Sequence, residues 1–142
     1  MSANAALYLP GDDIDLTELF PGARRSGGYS TQPAAFDVPI KGGVVRFNVM
    51  PSAEIPSHLA GFAAYISSLD EDEAAKVAAT HAITAAGTVL GLDTQLDFEG
   101  NEEIGEIMER INEHYKGCVF MFDSIVLHGN QVLVGPLKSA AS

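Results

Sequence analysis

The chain has 142 residues, of which 46% are hydrophobic, and 19 Asp plus Glu against 8 Lys plus Arg give it a net charge of -11. A chain of this length and apolar content can bury one core, which excludes a disordered protein. Its charge repels phosphate backbones and anionic lipid, so no direct nucleic-acid or membrane partner is expected.

Met1-Ser2-Ala3-Asn4 opens the chain without a basic flank. No window reaches the ~18 apolar residues of a membrane span, so the cytoplasm is the expected location. Residues 1–37 carry Pro10-Gly11, Pro21-Gly22, Gly27-Gly28 and Pro33 and hold no sustained period. They read as a flexible or loosely attached N-terminal segment ahead of a single domain over 38–142. Ile14, Leu16, Leu19 and Phe20 are placed to pin one short turn, capped by Asp12, Asp13 or Asp15. Arg24-Arg25 reads as a solvated loop.

Val44 to Met50 is rich in β-branched residues and bounded by Gly42-Gly43 and Pro51, which predicts a strand. Pro56 suits a first helical turn, and Leu59, Phe62, Ala63, Ile66 and Leu69 recur at helical spacing, which predicts a helix over Pro56 to Ser68. Asp70 with Glu73 three residues on reads as the cap of another helix. Ala74, Val77, Ala78, His81, Ala85 and Val89 let that helix run to Gly91, the reading the spacing favours. The alternative ends it near Thr80 and makes Ala82 to Leu90 a strand, which accounts for Thr84, Gly87 and Thr88. Thr94 to Glu99 alternates as a short strand.

Asn101 then caps the clearest amphipathic helix, with Ile104, Ile107, Met108, Ile111 and Tyr115 on one face and Glu106 set to pair with Arg110. Gly117 ends it. Cys118 to Phe122, Ser124 to Leu127 and Gln131 to Val134 read as strands, the last two joined by His128-Gly129-Asn130. Lys138 to Ser142 reads as a frayed tail. The element order implies an α+β fold, a mainly antiparallel sheet with two or three helices packed on one face.

No histidine stands near another His, Cys or carboxylate at zinc-site spacing, no glycine-rich loop carries the Lys of a phosphate cradle, and no serine has a nucleophile-elbow context. No cofactor, no metal and no particular catalytic chemistry is expected. Cys118 is the only cysteine, so no intrachain disulfide can form. His81 and Cys118, polar or reactive groups inside apolar runs, mark the alternative of a small-ligand or enzymatic pocket. The acidic residues are uneven. Asp97, Glu99, Glu102, Glu103, Glu106, Glu109 and Glu113 lie close together with only Arg110 among them, which predicts a docking face for a basic protein partner. A homo-oligomer pairing edge strands near the C-terminus is a third reading.

The segments Gly42 to Pro51, Ile55-Pro56, Ala75 to His81 and Val119 to Pro136 resemble small uncharacterised bacterial domains, some found in toxin-immunity neighbourhoods. The resemblance implies a strand ending in Met50-Pro51, a helix entry at Ile55-Pro56 and a His, here His81, near the following element, while the aromatic residues of that pattern do not follow His81. The charge and the missing catalytic motifs make a non-enzymatic interaction protein, an immunity-type or other inhibitor, the leading reading. No functional residue carries over.

Overall fold

A computed structural model describes residues 5–27, 34–93 and 101–135. Eight strands, β1 (Ala6–Leu9), β2 (Arg24–Ser26), β3 (Ala35–Ile40), β4 (Gly43–Val49), β5 (Thr88–Asp93), β6 (Cys118–Met121), β7 (Ser124–Leu127) and β8 (Gln131–Val134), form one sheet. Their spatial order is β2-β3-β4-β5-β1-β6-β7-β8, and every neighbouring pair is antiparallel. The helices are α1 (Leu16–Leu19), α2 (Ile55–Ser67), α3 (Glu73–Thr84) and α4 (Glu102–Tyr115). The fold is therefore α+β, as the element order implies.

The helices divide between the two faces of the sheet rather than gathering on one. Leu7 and Leu9 of β1 face α1 and α4 in a core with Leu16, Phe20, Phe47, Ile104, Met108 and Ile111. Tyr8 points the other way, into a second core with Ile55, Leu59, Ile66, Ala79, Ile83 and Cys118 from α2, α3 and β6. A strand buried on both faces needs apolar residues at every position, so it shows no alternation.

The same rule explains the two largest departures from the sequence expectations. The segment 1–37, expected to be loosely attached, contributes the central strand β1, which pairs with β5 and β6. Leu7, Tyr8 and Leu9 are all buried. Asp15 caps α1, its Oδ1 accepting from Thr17 N at 3.0 Å. Tyr115 Oη accepts from Asp15 N and donates to Asp15 O, tying α1 to the end of α4.

The long helix to Gly91 is also overturned: α3 stops at Thr84 and β5 begins at Thr88. The Thr84 hydroxyl bonds back to Thr80 O at 2.8 Å, and Thr88 Oγ1 donates to Gly11 O at 2.8 Å. Gly87 is required by close approach, because a Cβ there would lie 2.7 Å from Gly11 O. The strand follows the alternative reading in kind but starts later. Asp72, not Asp70, precedes α3 and makes no side-chain cap bond. Glu71 instead accepts from Gly135 N.

The strand expected at 94–99 and the tail at 138–142 lie outside the described residues. The β7–β8 hairpin forms at His128-Gly129-Asn130 as expected, and β6 and β7 form a second hairpin. Phe122 and Asp123, with φ of 51° and 60°, make the two-residue turn between β6 and β7 whose twist matches a hairpin.

Candidate functional site

Asn101 starts α4 by accepting from Glu103 N and Ile104 N at 3.0 and 3.3 Å. The helix then buries Ile104, Ile107, Met108 and Ile111, which leaves Glu102, Glu106 and Glu109 along one exposed flank. It lies over β1 and β6, and beside it, above β6 and β7, a groove of about 370 Å³ remains open. Met108, Val119, Met121 and Val126 form its floor, and the three glutamates stand at its rim.

The predicted acidic residues have different fates. Glu103 Oε1 accepts from Lys41 N at 3.2 Å, and Glu113 Oε1 accepts from Gly129 N, so both brace neighbouring loops. Glu109 Oε1 accepts from Asn130 Nδ2 at 3.4 Å. Arg110, expected to pair with Glu106, lies over the Phe20 ring at 5.1 Å instead. Glu102, Glu106 and Glu109 thus carry no ion pair among the described residues. Asp97 and Glu99 lie outside the described residues.

Asn112, at the inner end of the groove, was not a sequence candidate. It is 3% exposed, its Nδ2 donates to Val126 O at 3.4 Å, and its Oδ1 has no hydrogen-bond partner among the described residues. A buried, unmatched acceptor is costly and uncommon. The signal was present in the sequence, since Asn112 falls four residues after Met108 on the buried face of the helix.

His81 and Cys118 are not brought together. His81 is on the exposed side of α3, beside an open cavity of about 380 Å³ lined also by Ser67, Lys76, Thr80 and Thr84. Cys118 is fully buried under α2 and α3, and burial pushes its thiol up to about 12. A thiol held protonated to that extent is no nucleophile near neutral pH.

A second histidine, His58 in the first turns of α2, also meets a cavity. Its Nε2 is hydrogen bonded to Tyr8 Oη at 2.8 Å, and the two rings are stacked 5.7 Å apart. Burial, with the nearby Cys118 adding to it, raises the Tyr8 hydroxyl well above its ordinary value. A mainly apolar cavity of about 450 Å³ adjoins His58, lined also by Asn48, Met50, Val89 and Gly91. Among the described residues no three His, Cys, Asp or Glu side chains are grouped as metal ligands, and no helix is long and apolar enough to cross a membrane.

Compared with family models, with curated proteins and with solved structures, the chain gives no match.

Proposed function

We propose that this chain is a non-enzymatic interaction domain that receives a basic segment of a protein partner in the groove between α4 and the β6–β7 hairpin. One observation carries this reading: an apolar floor, a rim of carboxylates without internal cations and an unmatched amide oxygen occur in a single groove. A lysine or arginine side chain has the complementary build. Its methylene stem covers Met108, Val119 and Val126, its head meets Glu102, Glu106 or Glu109, and one N–H reaches Asn112 Oδ1. An immunity-type inhibitor that covers a basic surface is one form of this activity, in keeping with the acidic charge and the missing catalytic motifs.

The test is capture of a partner from source cells at low and high salt, repeated with the triple variant Glu102→Lys, Glu106→Lys, Glu109→Lys. A basic protein retained at low salt, released at high salt and lost by the folded variant supports the reading. Equal retention by the variant refutes it.

The cavity at His58 favours a second reading, a small-ligand domain, because the ring is held by Tyr8 with apolar walls beside it. A fragment that shifts the His58 resonances and binds the triple variant equally well would move the function there.

A further inference from the structure

On the face carrying α2 and α3, no described helix covers β2, β3 and β4: α2 and α3 pack on each other and toward β1, β6 and β8. The exposed shelf carries a row of charges set by the strand register. Arg24 is opposite Asp37, Asp37 opposite Arg46, and Arg46 opposite Asp93. The two middle charges satisfy each other, Arg46 Nε donating to Asp37 Oδ1 at 2.8 Å and Nη2 to Oδ2 at 3.1 Å. The outer two have opposite signs and no ion pair among the described residues. Arg24 is exposed, and Asp93 accepts from Asn48 Nδ2 at 3.5 Å and adds its charge to that of Asp37 in stabilising the Arg46 guanidinium.

We propose that this shelf binds a second copy of the chain face to face, about a two-fold axis that runs parallel to the strands between β3 and β4. Such an axis reverses the row, so Arg24 of each copy lies over Asp93 of the other, and Asp37 over Arg46. It leaves the rung along the strand unchanged. The neighbouring rung, Pro39 opposite Val44, therefore covers its own reverse, and it is apolar and exposed, Val44 being 53% accessible. On the other side the half-exposed Ser26 and Gly91 and the buried Ala35 share a rung with Asn48, so small residues flank it.

Packed sheets stand about 10 Å apart, close to the thickness of a helical layer, so the second shelf fills the layer left empty beside α2. In that arrangement α2 of each copy abuts the edge strand β2 of the other, which covers an otherwise open edge. The surface is self-complementary, as a two-fold interface requires. It lies on the face of the sheet opposite the α4 groove, so it does not depend on the function proposed for that groove.

Sedimentation velocity over a concentration series, with circular dichroism to check folding, tests this with Arg24→Asp and Asp93→Arg. The unaltered chain should dimerise, and each single variant should dimerise at least a hundredfold more weakly, because each sets like charges over one another twice. An equimolar mixture of the two variants should recover the dimer, since one copy then offers only Asp and the other only Arg at these positions. A monomeric unaltered chain at every concentration overturns the proposal. So does a dimer that both variants leave intact, or a mixture that stays monomeric.

Discussion

Replacing Asn112 with Leu should make the domain more stable and a poorer binder. The side chain is 3% exposed and makes one long hydrogen bond, at 3.4 Å to Val126 O, while its Oδ1 is unmatched among the described residues. Losing the bond costs roughly 0.5–1.5 kcal/mol, and removing an unmatched buried acceptor returns roughly 1–3 kcal/mol. Leucine is close in shape and the adjoining groove gives room for its extra volume, so overpacking is small. The net expectation is about 1 kcal/mol of added stability, or a rise of about 3 °C in Tm for a domain of this size. Urea unfolding should show a higher midpoint at unchanged slope. Binding of a lysine-rich partner segment should weaken by about tenfold or more, because a hydrogen bond to a charged donor is worth about 1.5–3 kcal/mol. A variant less stable by over ~1 kcal/mol, against the sign expected from the unmatched acceptor, would refute the energetic argument. Unchanged affinity for a captured partner would refute the role given to the amide.

Gly117→Ala should be strongly destabilising, by about 3 kcal/mol, because the added Cβ would meet Tyr8 O at 2.3 Å and Leu9 Cδ2 at 2.7 Å in the central strand; chemical denaturation measures the loss, and a change under ~1 kcal/mol, the lower end of overpacking costs, would refute that contact. Cys118 should resist alkylation at pH 8 until the chain unfolds, since its thiol is buried and held up to about 12. The same shift sets a pH dependence: the native state keeps the proton that the unfolded chain releases above its ordinary 9.0. Stability therefore falls from about pH 9 toward 12, by ~1.4 kcal/mol per pH unit from this group. Cys118→Ala should flatten the fall between pH 9 and 10; an unchanged slope would show that the thiol does not titrate as its burial requires.

The parts of the fold that were legible are those with one face in water. In α4 the buried Ile104, Ile107, Met108 and Ile111 alternate with glutamates, so both the helix and its acidic flank could be read, and Asn101 marked its start. β4 and the β7–β8 hairpin carried their own turn residues. The illegible parts are the strands at the middle of the sheet. Ala6 to Leu9 and Thr88 to Leu92 are apolar at nearly every position because helices cover both faces, which removes the period that identifies a strand. The wrong pairing assigned to Arg110 has another cause: helical spacing brought Glu106 within reach, but Phe20, from a segment read as loose, offered its ring instead. Of the candidate site, the rim was visible as charge. The groove beside it was not, since it depends on β6 and β7 extending past the helix.

The position of β1 bears on how the chain is made. Its partners β5 and β6 begin at Thr88 and Cys118, so this apolar strand is made well before the strands it pairs with. At ribosomal rates of about 5–20 residues per second that interval is roughly 4–16 s to the first partner and longer to the second. Until then Leu7, Tyr8 and Leu9 lack their pairing partners, and without β1 the strands β2–β5 and β6–β8 would be two separate sheets with open inner edges. Closing the gap is a late, long-range event, the slow kind of step in β-rich folding. The insertion of β1 between β5 and β6 is therefore the step that joins the two halves of the sheet.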